Sequence, residues 1–195
     1  MNDKIKILSE KIVYEGFLRI KTAQVEHELP DGTKINYERS KMDREDAVAV
    51  MVYNENTKKF FFVKQLRYPI TGKADNYMTE IPAGRIDRAG TPLQTAIREV
   101  EEEIGYRVKP ENIFSTINYF SSPGYSSEML YLFQATVFEE DKVSDGGGVE
   151  EEDEHLEIVE FTREEMINKL TNGEFQDGKS VIAILSYCLQ ELTQK

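Results

Sequence analysis

The sequence predicts an α/β fold, a sandwich in which helices cover a β-sheet. Strand-like apolar runs, such as DAVAVMVYN at 46–54 and KFFFVKQLRY at 59–68, alternate along the chain with helical patterns. The chain has 195 residues, which suffice for one domain with a small appendage. A hydrophobic content of 39% with ten Phe and ten Tyr indicates an ordered globular protein.

The first 41 residues are predicted to form a separate β segment, and residues 42–195 the main domain. Short alternating strands occupy residues 5–40, and Pro30-Asp31-Gly32 is a hairpin turn signal between two of them. An isolated polar hairpin is only marginally stable in water. We therefore expect this segment to pack against another surface, either the main domain or a second subunit.

The main domain starts with the two apolar strands, which are joined by a polar turn at 54–57. An acidic loop at 139–154 separates its last two strands. The remaining predicted elements are, in order, a helix at 92–104, strands around 114–120, 128–138 and 155–161, and helices at 163–175 and 180–195.

Composition limits the partners of the protein. The formal net charge of −12 opposes a general affinity for nucleic-acid backbones, although a divalent cation could still bring a phosphate-bearing substrate to the protein. Cys188 is the sole cysteine, so no intrachain disulfide and no thiolate metal cluster can form. No apolar run approaches the length of a membrane span. The sequence predicts a cytoplasmic protein without membrane or nucleic-acid partners.

The helix at 92–104 has clear termini. Thr91 is a suitable N-cap and Pro92 a suitable first residue, while Gly105 is a typical stop. One apolar stripe runs along the helix through Leu93, Ile97, Val100 and Ile104.

Three carboxylates of this helix fall on one arc beside the stripe. Glu99, Glu102 and Glu103 converge at 100° per residue, whereas Glu101 points away. A solvated acidic helix face would be the ordinary explanation, but the three lie at the C-terminal end, where the helix dipole disfavours them. Clustered oxygen ligands suit hard cations such as Mg²⁺ or Mn²⁺, and a bound cation would offset the repulsion.

The segment from Gly84 to Tyr106 resembles the Nudix box, G-x5-E-x7-R-E-U-x-E-E-x-G-U, where U is apolar. All 23 residues keep the spacing of that motif, and REVEEEIGY at 98–106 matches its second half. One position departs, because Gly90 stands where the box has its first glutamate. In the family that glutamate often braces the box arginine, so Arg98 is expected to pair elsewhere.

The resemblance implies a Nudix α/β/α sandwich with a mixed sheet, plus a small N-terminal antiparallel sheet. It implies that the carbonyl of Ala83 and the carboxylates of Glu99, Glu102 and Glu103 bind Mg²⁺, with Mn²⁺ as the alternative, and that Glu99 and Glu103 take part in catalysis. The resemblance also implies that the general base lies on the acidic loop. Glu152 best matches the family position there, and Glu151 and Glu154 are its neighbours. A solvated acidic loop is the alternative.

Other segments resemble the ADP-ribose pyrophosphatase and nucleotide-sugar branch of this family. They are VKQLRYP at 63–69, EIPAG at 80–84 and SSPGYSSE at 121–128, while DGGGVEEEDEHLEI and GEFQDGKSVIAIL resemble the GDP-mannose and UDP-sugar hydrolases. The resemblance implies four substrate contacts, and for each an ordinary surface, turn or strand residue is the alternative. These four are Arg67, Pro123, Gly124 and Glu128.

The expected activity is metal-dependent hydrolysis of the pyrophosphate bond of a nucleoside diphosphate sugar. ADP-ribose, giving AMP and ribose 5-phosphate, is the leading substrate, and GDP-mannose or UDP-glucose is the alternative. A non-catalytic sugar-nucleotide-binding module is the alternative from another class, and a nucleoside triphosphate hydrolase is disfavoured by the N-terminal segment. Because members of this branch usually dimerise through that segment, a homodimer is also expected.

Overall fold

The computed structural model describes residues 4–87, 89–149 and 155–193, which form two compact units. The first unit contains the residues up to Asp46 together with Phe120–Met129. The second contains Ala47–Tyr119 and the residues from Leu130 onward. Within the described ranges, no helix combines the length and the apolarity that crossing a membrane would require.

A three-stranded antiparallel sheet dominates the first unit. Its strands β1 (Ile5–Glu15), β2 (Arg19–Glu28) and β3 (Lys34–Met42) follow one another in the sheet as they do in the chain. The predicted hairpin turn between β2 and β3 is confirmed. Gly32 adopts a φ of +84°, which its missing side chain permits, and the N–H of Thr33 donates to the Asp31 carboxylate at 2.9 Å.

The first unit also includes the segment Phe120–Met129, which the sequence placed with the main domain. The N–H of Met42 donates to the carbonyl of Tyr125 at 2.7 Å, and the N–H of Ser127 donates to the carbonyl of Met42 at 3.1 Å. These backbone hydrogen bonds join the end of β3 to residues more than 80 positions later. No local pattern in the sequence reports such a pairing.

A mixed seven-stranded sheet forms the frame of the second unit. Five strands lie in the order β10-β5-β4-β9-β8, while β6 pairs with β5 and β7 pairs with β4. Strands β4 and β9 are parallel, and β5 is antiparallel to β4, β6 and β10. These strands are β4 (Ala47–Asn54), β5 (Lys59–Leu66), β6 (Tyr77–Glu80), β7 (Ala83–Arg85), β8 (Ile113–Phe120), β9 (Met129–Val137) and β10 (Glu157–Thr162).

Helices cover both faces of this sheet: α1 (Pro92–Ile104) one face, and α2 (Arg163–Thr171) and α3 (Gly178–Thr193) the other. Strand β4 shows why, because its side chains are apolar on both faces of the sheet from Ala47 to Val52. Val50 packs in one buried cluster with residues of α1, and Met51 packs in the other with residues of α2 and α3. The predicted α/β/α sandwich with a small antiparallel sheet is confirmed.

Helix α1 begins and ends where the sequence predicts. Thr91 and Gln94 form a capping box, with the N–H of Gln94 donating to the Thr91 hydroxyl at 3.2 Å. Gly105 ends the helix in the left-handed conformation, with a φ of +81°. Ala96 is fully buried, whereas Leu93 of the predicted stripe is exposed, because the packed face begins only in the second turn.

Two short strands that precede α1 were missed by the sequence analysis. Strands β6 and β7 have four and three residues, too few to establish an alternating pattern. They are important for the site because they carry the segment from Glu80 to Gly84, whose end, β7, contacts α1.

Candidate active site

Glu99 lies directly against the backbone of strand β7. A Cβ atom built on Gly84 would lie 2.0 Å from Oε1 of Glu99, closer than two such atoms can approach. The Glu99 side chain is buried, with 6% of the residue exposed. The glycine that starts the box therefore leaves the space that the carboxylate occupies.

Glu103, one turn further along α1, meets the residue before that glycine. The N–H of Ala83 donates to Oε1 of Glu103 at 3.4 Å, and Glu103 is 5% exposed. Glu99 and Glu103 thus reach two consecutive residues of β7, the first of which is the predicted backbone ligand. Two buried carboxylates beside one stretch of backbone make this place a candidate site, since glutamate side chains are rarely buried.

Arg98 neutralises part of this acidic surface. Its guanidinium contacts Glu99 at 2.6 Å and Glu102 at 2.5 Å, and it lies 3.8 Å from the carboxylate of Asp87. Burial alone would lower the pKa of Arg98, but the carboxylates around it raise the pKa above its ordinary value. Gly90 stands where the box has its first glutamate. Arg98 pairs with these other carboxylates instead, as the sequence predicts.

The predicted ligands fit a hard cation in their chemistry. They are oxygen donors, two of them are buried, and Gly84 leaves the space that one of these two, Glu99, occupies. Among the described residues, however, no three His, Cys, Asp or Glu side chains are gathered as a metal cluster, and Arg98 bridges Glu99 and Glu102. The assignment of Ala83, Glu99, Glu102 and Glu103 to a metal stays a prediction.

Glycines in the middle of the acidic loop bind the C-terminal end of α1. The N–H of Gly147 donates to the carbonyl of Glu103 at 2.9 Å, and the N–H of Gly148 donates to that of Glu102 at 3.1 Å. Gly146 has a φ of +65°, and a Cβ there would lie 2.7 Å from the Glu103 carbonyl oxygen. These bonds satisfy carbonyls that a helix end leaves without partners.

The predicted base lies outside the described residues. Glu152, like its neighbours Glu151 and Glu154, belongs to the range 150–154. The described residues on either side of this range are tied together, because the N–H of Leu156 donates to the carbonyl of Gly147 at 3.1 Å.

Arg67 holds a buried carboxylate that the sequence analysis did not single out. Its Nε and Nη2 each donate to one oxygen of Glu80 at 2.7 Å, and Glu80 is only 2% exposed. Lys179 also pairs with Glu80, and its Nζ lies 3.0 Å from a carboxylate oxygen of Asp177. The only signal was indirect: Glu80 and Lys179 lie in the segments EIPAG and QDGKSV, noted for resemblance rather than for chemistry.

The other predicted substrate residues belong to the first unit. Pro123 and Gly124 lie in the turn between Ser122 and Ser126, whose N–H groups and carbonyls hydrogen-bond within the turn and to β3. Glu128 accepts a hydrogen bond from the Ser121 hydroxyl at 3.2 Å and pairs with Arg44 at 3.2 Å. The contact of these residues with a substrate stays a prediction.

A groove of about 640 Å³ opens on the second unit, on the side of the sheet that carries α2. Lys64, Tyr77, Lys169 and Phe175 are among the residues that line it. Among the described residues, none of the predicted metal ligands or substrate contacts lines this groove, so its size has no bearing on the site at α1.

Comparison with known proteins places this geometry in context. The NUDIX domain model matches residues 43–183. The GDP-mannose pyrophosphatase of Cronobacter sakazakii is 29% identical to this chain over 187 residues, 94% of this chain and 95% of that protein. The GDP-mannose pyrophosphatase of Klebsiella pneumoniae is 28% identical over 186 residues, 94% of this chain and 91% of that protein.

Among solved structures, the crystal structure of an ADP compounds hydrolase superposes on this chain with a TM-score of 0.74. The superposition covers 98% of this chain and 96% of that one, at 19% sequence identity. At this identity the likeness concerns the fold, and it extends over both compact units.

Proposed function

The chain belongs to the NUDIX family of enzymes, and from that membership we propose that it hydrolyses the pyrophosphate bond of a nucleoside diphosphate sugar. The observation that carries the proposal is the pair of buried carboxylates, Glu99 and Glu103, held against Gly84 and Ala83 of β7. Two buried carboxylates one helical turn apart concentrate negative charge at one place, which a divalent cation would offset. A pyrophosphate, in turn, needs its negative charge neutralised before water can attack phosphorus.

Mg²⁺ is the cation that we propose, with Mn²⁺ as the substitute, because both prefer oxygen ligands. When bound, such an ion polarises the phosphorus centre and lowers the pKa of a coordinated water. Glu99, Glu102 and Glu103 would hold it together with the carbonyl of Ala83. Arg98 would orient Glu99 and Glu102 through its two contacts with them.

The other predicted site residues would bind the substrate and activate the attacking water. Arg67 would bind a phosphate group, and Pro123, Gly124 and Glu128 would contact the substrate. Glu152 would accept a proton from the attacking water. The water adds to one phosphorus, the bridging oxygen leaves with the other, and the products are a nucleoside monophosphate and a sugar phosphate.

Three nucleoside diphosphate sugars are candidate substrates. ADP-ribose is favoured by the segments VKQLRYP, EIPAG and SSPGYSSE. GDP-mannose is favoured by the names of the relatives, which align with 94% of this chain. UDP-glucose is the third member of the same chemical class. All three present the pyrophosphate bridge that the proposed site requires.

A panel of substrates tests the proposal. ADP-ribose, GDP-mannose, UDP-glucose, NADH, diadenosine polyphosphates and 8-oxo-dGTP are each incubated with Mg²⁺ or Mn²⁺, and phosphate is measured after coupling to a phosphatase. We expect turnover of nucleoside diphosphate sugars and none in EDTA. Tight binding of a sugar nucleotide without turnover would instead favour the non-catalytic binding module.

A homodimer formed through the first unit is also part of the proposal. Strand β1 is an edge strand of its sheet and is exposed along its whole length, although it carries large apolar side chains. An exposed, apolar edge strand readily pairs with another chain. A second copy would cover these residues, which are Ile5, Ile7, Leu8, Ile12, Val13 and Tyr14.

Light scattering at micromolar concentration tests the dimer, and a monomer there would contradict it.

We further propose that the enzyme works in the cytoplasm, because its single cysteine, Cys188, has no intrachain partner with which to form a disulfide.

A further inference from the structure

Glu80 is a buried carboxylate that the proposed reaction does not use. It ends strand β6, and both of its carboxylate oxygens are occupied: Oε1 by Nε of Arg67, and Oε2 by Nη2 of Arg67 and by Lys179. Removing either cation would leave a buried negative charge poorly compensated, which is unfavourable. This arrangement therefore fixes the positions of both cations.

The bidentate contact determines how Arg67 is oriented. A guanidinium is planar and has five N–H donors, so two parallel bonds to one carboxylate fix its plane. Glu80 uses one side of the guanidinium, through Nε and Nη2. None of the described residues hydrogen-bonds to Nη1, so that side of the guanidinium can bind a further anion, and the Arg67 side chain is 38% exposed.

Lys179 holds Glu80 from the opposite element. It belongs to the first turn of α3 and is only 13% exposed. Asp177 fixes the lysine at 3.0 Å and also accepts hydrogen bonds from the N–H of Ser180 at 3.0 Å and from its hydroxyl at 2.6 Å. The first turn of α3 is thus a rigid support for the carboxylate.

The same turn supports the segment that reaches the proposed metal site. Ser180 accepts the N–H of Ile81 at 2.9 Å, the Pro82 carbonyl accepts the N–H of Val50 at 2.8 Å, and Ala83 meets Glu103. The four consecutive residues from Glu80 to Ala83 are therefore held by contacts with α3, β4 and α1.

We propose that Glu80 and Lys179 are positioning residues which fix the guanidinium of Arg67 in the orientation that binds a phosphate group of the nucleoside diphosphate. This inference rests on the phosphate contact of Arg67 in the proposed function. A fixed arginine loses less side-chain entropy when it binds an anion than a mobile one does. Glu80 and Lys179 need not touch the substrate themselves.

A double-mutant cycle, read as the affinity for GDP and ADP by calorimetry in Mg²⁺, tests this inference. We expect Glu80→Gln to weaken binding about tenfold in the wild-type background and less than about twofold in an Arg67→Ala background. Lys179→Met should behave in the same way with a smaller loss, of about threefold. Equal losses in the two backgrounds would overturn the proposal, because the residues would then act independently of Arg67.

Lys169→Met is the matched control, since it removes a lysine that pairs with Glu174 at 2.6 Å in the same unit. It should leave the affinity for both nucleotides unchanged. If Glu80→Gln fails to fold, as judged by thermal unfolding, the cycle with Lys179→Met tests the inference instead. In that variant the ion pair between Glu80 and Arg67 is still present.

Binding separates this inference from the proposed function. A wild-type protein that binds GDP or ADP, yet hydrolyses no nucleoside diphosphate sugar, would refute the proposed reaction and leave the cycle measurable. A wild-type protein that binds neither nucleotide would overturn the inference itself.

Discussion

The carboxylate of Glu99 occupies the space that a side chain at Gly84 would need, with Oε1 of Glu99 2.0 Å from the position of a Cβ atom. This contact joins the first residue of the 23-residue motif to the first of its predicted metal ligands. The residue at position 84 must therefore lack a side chain for steric reasons, independently of the backbone conformation that glycine permits.

Gly84→Ala should displace the Glu99 carboxylate and weaken metal binding. We expect the Mg²⁺ concentration for half-maximal activity to rise by about tenfold or more, since altered support of a metal ligand typically costs that much affinity. A titration of activity with Mg²⁺ measures this. Gly178→Ala is the control, because a Cβ there meets nothing within 4 Å. An unchanged Mg²⁺ requirement in Gly84→Ala would contradict the assignment of Glu99.

Helix α1 shows how much of this site the sequence predicts. Local signals fix its termini at Thr91 and Gly105, and helical periodicity alone brings Glu99 and Glu103 to one side. The contact between Glu80 and Lys179 is different, because it joins residues 99 positions apart. It depends on how α3 packs on the sheet, which the pattern of either segment does not encode.

The Gly146 backbone should be essential to the stability of the loop that binds α1. Gly146→Ala combines a positive φ of +65° with a Cβ placed 2.7 Å from the Glu103 carbonyl oxygen. We expect a loss of about 2–3 kcal/mol in the free energy of unfolding, measured in urea.

Gly173→Ala separates the two causes of that loss. Its φ is +73°, but a Cβ there would meet nothing within 4 Å, so only about 1 kcal/mol should be lost. Equal losses in the two variants would mean that the contact with α1 contributes nothing.

Glu80 should make the protein sensitive to acid. Burial alone would raise its pKa, but Arg67 and Lys179 hold the pKa below the ordinary value of 4.5. Because the folded-state pKa is depressed, the stability that Glu80 contributes is complete above about pH 4.5 and is lost as the pH falls further.

Glu80→Gln should therefore be less stable than the wild type at neutral pH, and its free energy of unfolding should fall less steeply below about pH 4.5. Urea unfolding at a series of pH values measures both. Glu164→Gln, at an exposed position of α2, should keep the wild-type slope. A Glu80→Gln protein with that same slope would show that Glu80 is not ionised in the fold.

Glu103 and Glu152 should have separable roles. Glu103→Gln should weaken Mg²⁺ binding together with activity. Glu152→Gln should lower kcat by roughly 10²–10⁴ while the affinities for Mg²⁺ and substrate stay nearly intact, which is the scale of general acid–base catalysis. Glu151→Gln and Glu154→Gln are the local controls. If Glu152→Gln keeps most of its turnover, and a change at Glu99 or Glu103 abolishes activity without affecting Mg²⁺ affinity, the base lies on α1.

The cleavage of the pyrophosphate bridge tests the central claim most directly. Phosphorus NMR follows GDP-mannose and ADP-ribose incubated with the wild-type protein and Mg²⁺, and in parallel with Glu103→Gln and with EDTA. The account predicts that the two pyrophosphate signals of at least one substrate give way to those of a nucleoside monophosphate and a sugar phosphate, in the wild-type Mg²⁺ sample alone. Unchanged pyrophosphate signals for both substrates, or equal cleavage in EDTA, would contradict it.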